Sequence, residues 1–152
     1  NLQQLKINNK VDWQLKHFKS IKQNYSKSVN YLKIIKEIEK YYTKRFDYLN
    51  EYCWQMLNYF LKKLDIKTTI VRASSITEFD TTKSDLILDI CKYLKADTYL
   101  SGPLGFNYLN VSKFGESGIS IKKQNFIHPT YNQISNGFEE NMGIIDFLFN
   151  IE

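Results

Sequence analysis

Residues 97–109 read DTYLSGPLGFNYL, in which a short apolar strand breaks into a loop that holds two glycines, a proline and a serine. A longer stretch, whose apolar residues recur at helical spacing, comes directly before this strand. In open α/β sheets, ligands bind where loops leave the carboxyl ends of strands. The segment therefore predicts both the class of the fold and the place where a site is expected.

The residues before this segment predict three helices. Asp12 precedes a run in which Trp13, His17 and Ile21 recur every four residues, and we expect Asp12 to cap this first helix. Two further apolar stripes predict helices over about 28–44 and 47–64. Residues 1–66 are therefore predicted to be mainly helical.

From residue 67 onward, predicted strands and helices alternate. Strands are expected over 68–73, 98–101 and 119–123. Helices are expected after Thr82, whose spacing to Asp85 resembles a capping box, after Asn110 and after Asn141. This alternation is typical of parallel sheets. We therefore expect an α/β fold, a small parallel sheet flanked by helices with an N-terminal helical part, within a single domain spanning residues 1–152.

The charge is uneven along the chain. Residues 1–67 carry thirteen Lys and one Arg against six acidic residues, whereas residues 68–152 have a net charge of −3. A basic half indicates either a solvated helical surface or a phosphorylated ligand. Nucleic acid is the less favoured partner, because nineteen of the 21 basic residues are Lys and base readout favours Arg.

Several features point to the cytoplasm. No apolar run is long enough to span a membrane, and no signal peptide is visible. Cys53 and Cys91 fall in apolar helical patterns and are predicted to be buried free thiols. Neither these cysteines nor the two histidines show close metal-ligand spacing, so we predict no metal and no cofactor.

Four segments resemble the WbqC-like protein family, whose members occur in bacterial gene clusters for O-antigen and other surface polysaccharides. The segments are residues 13–17, followed by Ile21 and Tyr25; residues 96–103, followed by Gly105, Tyr108 and Leu109; residues 126–133; and residues 144–150. Their order and spacing resemble the C-terminal two-thirds of such a protein. The His-Gln-Pro segment with which members usually begin is not in this sequence, so we expect an N-terminal segment to be lacking.

The resemblance implies a role in surface-polysaccharide biosynthesis. The function we expect is a transferase that modifies a nucleotide-linked amino sugar by acyl or aminoacyl transfer. The alternative is a non-catalytic binding or scaffolding protein of the same pathway. The expected partners are a nucleotide-sugar or another phosphorylated small molecule, and either a second copy of the chain or another enzyme of the pathway.

The candidate site residues lie in the same segments. His17 and His128 are the candidate catalytic groups, since imidazole exchanges protons near neutral pH. The candidate substrate-binding residues are Lys16, Ser101, Gly102, Gly105, Tyr108 and Tyr131. The alternative reading makes the histidines structural, the Ser-Gly loop a tight turn without a ligand, and the tyrosines packing residues.

Asp146 is a carboxylate within an apolar helical stretch. A buried carboxylate requires hydrogen-bond partners. We therefore expect Asp146 either at the surface or as a support for a neighbouring loop.

Overall fold

The computed structural model describes the backbone of residues 2–151 and the side chains of residues 3–151. Within this range the helices and strands are, in chain order, α1 (Trp13–Tyr25), α2 (Tyr31–Thr43), α3 (Leu49–Lys63), α4 (Lys83–Tyr93), β1 (Thr98–Ser101), α5 (Val111–Glu116), β2 (Ser120–Lys123) and α6 (Ile144–Asn150). They belong to two compact units. The first unit comprises the residues up to Thr68 and those from His128 onward, and the second unit comprises Thr69–Ile127.

The predicted α/β class is confirmed, with a small parallel sheet in the second unit. Strands β1 and β2 run parallel, with Thr98 opposite Ser120 and Ser101 opposite Lys123. The amide of Gln124, one residue past the end of β2, donates to the Ser101 carbonyl at 2.8 Å, so pairing continues to the last residue of β1. The connection between the strands contains α5, as a parallel pair requires a crossover. The carboxyl ends of both strands therefore lie at one edge of the sheet.

The prediction of a strand over residues 68–73 is wrong. This segment is irregular and ends in a short 3₁₀ turn over Ala73–Ser75, so the described residues form a sheet of two strands and not three. Ile70 and Val71 are 39% and 48% exposed. The β-branched composition favours extended backbone, but a strand also needs a neighbour to pair with and a face to bury.

Two of the predicted helix caps are confirmed. The Asp12 side chain accepts a hydrogen bond from the Leu15 amide at 3.3 Å at the start of α1. The Asn110 side chain accepts one from the Lys113 amide at 3.3 Å at the start of α5. These side chains satisfy backbone donors that the helix itself leaves without a partner.

Of the other two predicted caps, Thr82 lies at the predicted position without the capping hydrogen bond, and Asn141 is wrong. Thr82 precedes α4 but makes no capping hydrogen bond with its side chain. Asp85, the second half of the predicted capping box, instead pairs with Lys113 on α5 at 2.9 Å. Asn141 has a φ of 62°, and α6 begins only at Ile144, after Gly143.

Each unit has its own apolar core. The core of the first unit contains Phe18, Ile34, Ile35, Ile38, Tyr41, Phe46, Met56, Leu148 and Phe149. The core of the second unit contains Leu88, Cys91, Leu109, Phe114 and Ile119. The residues of α6 thus join the helices of the first part of the chain. Across residues 2–151, no helix combines the length and apolar character that crossing a bilayer would take.

The prediction that both cysteines are buried is wrong for one of them. Cys91 is buried in the core of the second unit, whereas Cys53 is exposed on α3. Leu49 and Leu57, which belong to the same apolar stripe of α3, are 40% and 42% exposed. The stripe is therefore wider than the surface that the first unit covers.

Candidate functional site

Two of the segments that carry the family resemblance meet at Asp146 on α6. Asp146 is 6% exposed as a residue. Its Oδ2 accepts hydrogen bonds from the Tyr131 hydroxyl at 2.7 Å and from the Gln133 side-chain amide at 3.0 Å. Its Oδ1 accepts one from the Asn150 side chain at 3.2 Å. Asp146 is thus the buried support of a neighbouring loop, one of the two roles expected for it, and it has the donors that a buried carboxylate requires.

Tyr25 at the end of α1 adds a second phenol to this group, which we call the Asp146 cluster: Tyr25, Tyr131, Gln133, Asp146 and Asn150. Burial, and then the hydrogen bond to Asp146, raise the pKa of Tyr25 to about 12. Burial and the same acceptor also raise the pKa of the Tyr131 hydroxyl. Both phenols therefore keep their protons at neutral pH and act as donors to the carboxylate.

A cavity of about 460 Å³ borders this cluster within the first unit. Tyr131, Gln133 and Asn150 line it from the cluster, and Lys27 and Ser28 line it from the connection between α1 and α2. With Asn132, which also lines it, the cavity offers a phenol, three side-chain amides, a hydroxyl and an ammonium group. A few convergent polar groups in a concave site are typical of small-molecule binding.

The cavity is held open by side-chain to backbone hydrogen bonds. Asn30 donates from its side-chain amide to the Leu148 carbonyl at 3.3 Å and also to the Ile151 carbonyl. The Ser28 hydroxyl donates to the Tyr25 carbonyl at 2.7 Å. The Asn30 bonds join the start of α2 to the end of α6, and the Ser28 bond closes the turn after α1.

His128 and Tyr131, both predicted site residues, lie close together. Their ring centroids are 6.0 Å apart, and Phe138 lies 5.7 Å from the imidazole. The imidazole Nδ1 is 2.9 Å from the Pro129 carbonyl oxygen. The structure therefore places His128 beside the Asp146 cluster.

His17 and Lys16 lie on α1 and are exposed. The His17 ring packs edge-on against Trp13 at 5.4 Å, and Trp13 in turn packs against Tyr52 at 5.3 Å. The Trp13 indole Nε1 is buried and has no hydrogen-bond partner among the described residues. The two imidazoles thus have different aromatic neighbours.

The predicted glycine-loop residues form a tight structure at the end of β1 in the second unit. Ser101 is 0% exposed, and its hydroxyl donates to the Gly102 carbonyl at 3.0 Å. A Cβ added at Gly105 would lie 1.6 Å from the Ser101 Oγ, so a larger residue fits there only if Ser101 shifts. Gly102 and Tyr108 are exposed.

The predicted site residues thus fall into two groups. Ser101, Gly102, Gly105 and Tyr108 belong to the second unit, and Lys16, His17, His128 and Tyr131 belong to the first. Within residues 2–151, no three His, Cys, Asp or Glu side chains are grouped as metal ligands.

Sequence reasoning did not identify Tyr25, Gln133 and Asn150 as partners of Asp146. Asn150 follows Asp146 by four residues, the spacing that brings side chains together on one face of a helix, so this pair was readable from the sequence. Tyr25 is far away in the chain and had no such signal. Its contact with Asp146 depends on how α6 packs.

The chain belongs to the WbqC-like protein family, whose model matches residues 1–152. It is also 26% identical over 146 residues to a Mycobacterium tuberculosis protein named "Uncharacterized protein Rv1507c". That match covers 93% of this chain and 62% of the relative, so the chain spans less than two thirds of the relative's length. No solved structure matches this chain significantly. The resemblance noted in the sequence is therefore confirmed at the level of the family.

Proposed function

We propose that the protein is a cytoplasmic transferase of surface-polysaccharide biosynthesis that acylates or aminoacylates the amino group of a nucleotide-linked sugar. Membership of the WbqC-like family supports the pathway. The observation that supports the chemistry is the buried Asp146 carboxylate, which binds the Tyr131 hydroxyl at 2.7 Å beside a polar cavity. The sugar's amino group occupies this cavity in the proposed complex.

Tyr131 and Asp146 form a path for the proton that the reaction releases. The Tyr131 proton is directed at Asp146, so the phenol oxygen has lone pairs for an amine donor. In the proposed step, the amine nitrogen forms a bond to the carbonyl carbon of an activated ester or thioester, and the bond to the leaving group breaks. One amine proton moves to the Tyr131 oxygen while the phenol proton moves to Asp146, and the leaving group then takes up that proton.

The remaining predicted site residues have supporting roles in this proposal. His128, beside Tyr131, is the second proton-transfer group. Gly102 and Tyr108, which are exposed on the second unit, form a separate candidate binding surface, and Ser101 and Gly105 hold that turn in shape. Lys16 and His17, which are exposed on α1, add cationic or proton-exchanging groups that attract a phosphorylated substrate to this unit.

The test uses the full-length protein with nucleotide-linked amino sugars and activated acyl or aminoacyl donors, with product detected by mass spectrometry. Tyr131→Phe keeps the ring but removes the hydroxyl, and we expect it to lower kcat by about 10²-fold or more. Tyr93→Phe is the matched control, because Tyr93 is 54% exposed in the second unit and belongs to no proposed site. Turnover by Tyr131→Phe equal to that of the control would show the proposed role to be wrong.

A binding or scaffolding protein of the same pathway is the second candidate. Large apolar side chains on the second unit favour it: Leu100, Leu104 and Ile127 are 62%, 71% and 81% exposed. Exposed apolar residues of this kind mark protein contacts when they form a patch. A scaffold would bind a pathway enzyme equally well with or without the Tyr131 hydroxyl, and it would form no acylated product.

A further inference from the structure

A large basic groove runs between α2 and α3 in the first unit. Its volume is about 1100 Å³. Lys33, Lys36 and Lys40 line it from α2, and Trp54, Asn58 and Lys62 line it from α3. The residues on each side are spaced by three or four positions, so each set projects from one face of its helix.

The floor of the groove is closed by a pairing between the two helices. Lys63 on α3 donates to Glu37 on α2 at 2.6 Å, and the Tyr59 hydroxyl donates to the same carboxylate at 2.9 Å. Burial alone would raise the pKa of Glu37, but the hydrogen bonds from Lys63 and Tyr59 outweigh it and lower that pKa. The Tyr41 and Tyr59 rings, 5.6 Å apart, add an aromatic contact.

This pairing leaves the walls of the groove with excess positive charge. Five lysines and two glutamates line the groove, a net charge of +3. The Lys63 charge is matched by Glu37, whereas Lys36 and Lys62 are exposed on opposite walls. A concave surface lined mainly by one sign of charge concentrates ligands of the opposite sign.

We propose that this groove binds a nucleoside diphosphate group, with the phosphates between the lysines of the two helices and the base against Trp54. Lysine ammonium groups bind phosphate oxygens through charge-assisted hydrogen bonds. The half-buried Trp54 indole offers a flat surface on which a base can stack, and the Asn58 side chain lies on the same wall. The volume of the groove also suits a ligand of this size better than a single phosphate ion.

The concave shape favours a small phosphorylated molecule over nucleic acid or an anionic membrane. A duplex or a bilayer would require cations spread over a flat or convex face, whereas these lysines face each other across a groove whose lining also includes Glu37 and Glu51. The proposal does not depend on the transfer reaction. A binding protein without catalytic activity would use the groove in the same way.

The experiment measures binding of ADP and UDP to the full-length protein by calorimetry, with pyrophosphate and adenosine as the phosphate-only and base-only probes. The test variant is Lys36→Gln/Lys62→Gln, which neutralises one charge on each wall. The matched control is Lys19→Gln/Lys92→Gln. Lys19 is exposed in the middle of α1, as Lys36 is in α2. Lys92 lies in the last turn of α4, as Lys62 lies in the last turn of α3.

We expect ADP and UDP to bind to the wild-type protein. The test variant should raise their Kd by at least about tenfold, and the Kd for the control variant should stay within about twofold of wild type. Trp54→Phe should weaken ADP and UDP but leave pyrophosphate unchanged. The circular dichroism spectrum and melting temperature of each variant establish that the fold is intact. Higher salt should weaken binding, because the lysines are exposed to solvent.

Four results would overturn the inference. The first is that neither ADP nor UDP binds at millimolar concentration, and the second is that the test and control variants lose equal amounts of affinity for them. The third is that pyrophosphate binds as tightly as ADP. The fourth is that RNA or anionic vesicles bind tightly and ADP does not displace them. If Lys36→Gln/Lys62→Gln binds ADP and UDP as tightly as wild type does, the groove proposal is wrong while the proposed function stands. Loss of transfer in Tyr131→Phe alone, with ADP binding retained, keeps both proposals.

Discussion

Gly105→Ala tests how the glycine loop after β1 is built. The added Cβ would lie 1.6 Å from the Ser101 Oγ, 3.0 Å from the Ser101 Cβ and 3.3 Å from the Leu109 Cδ1. These are core atoms, since Ser101 and Leu109 are 0% and 8% exposed. Ser101 can turn its hydroxyl away only by breaking its bond to the Gly102 carbonyl, and its Cβ would still be crowded.

The cost follows from two opposing effects. Overpacking in a core costs about 1–3 kcal/mol. Replacing glycine by alanine also reduces the entropy of the unfolded chain, which offsets about 0.4–1 kcal/mol. We therefore expect Gly105→Ala to lower the free energy of unfolding by about 1–2 kcal/mol, measured by urea denaturation.

A matched glycine provides the control. A Cβ at Gly115 on α5, in the same unit, meets no atom within 4 Å. Gly115→Ala should therefore be neutral or stabilising, by up to about 1 kcal/mol, because alanine is the better helix former. If Gly105→Ala were as stable as Gly115→Ala, the close approach to Ser101 would not exist in solution.

A double-mutant cycle then identifies the atom responsible. Ser101→Ala alone loses one hydrogen bond and should cost about 0.5–1.5 kcal/mol. Together with Gly105→Ala it should cost clearly less than the sum of the two single changes, because the closest clash is removed while the 3.0 Å contact remains. Strict additivity would refute the reasoning.

Three further predictions concern ionisation, capping and thiol exposure. Folding raises the pKa of Tyr25 from 10.0 to about 12. The stabilisation that the protonated Tyr25 phenol provides is therefore complete below pH 10 and is lost as the pH rises to 12. Over this interval the urea midpoint of Tyr25→Phe should fall less than that of wild type. Asn110→Ala should destabilise the protein by about 1 kcal/mol, whereas Thr82→Ala should change the thermal midpoint little, because the side chain of Asn110 caps its helix and that of Thr82 does not. A thiol reagent should modify Cys53 at once in the native protein. It should modify Cys91 only on unfolding, because Cys91 is buried and burial raises its pKa. Rapid labelling of both thiols would contradict the burial of Cys91.

Local signals in the sequence predicted much of the backbone. Helix α1 begins and ends where its four-residue periodicity and Asp12 indicate, and strand β1 covers the predicted residues 98–101. The segment 68–73 shows the limit of such signals. Its β-branched residues favour an extended chain, but the formation of a strand depends on a neighbour elsewhere in the fold.

The candidate site was predictable only in part. The family segments drew attention to His128 and Tyr131, and the apolar context of Asp146 indicated that a buried carboxylate there would need partners. The Lys33, Lys36 and Lys40 spacing on α2 was also readable. That this row faces Trp54 and Lys62 across a groove was not readable, because it depends on the angle at which two helices pack.

The sequence by itself determined the helical and extended segments, the parallel pairing after residue 97 and the uneven charge, because each follows from periodicity, turn residues or composition within a short window. Only the tertiary structure decided that residues from His128 onward join the helices of the first unit and that Tyr25 contacts Asp146. Such contacts join residues far apart in the chain. Their free energy comes from burying shared apolar surface and satisfying buried polar groups, and no local pattern encodes which distant partner does so.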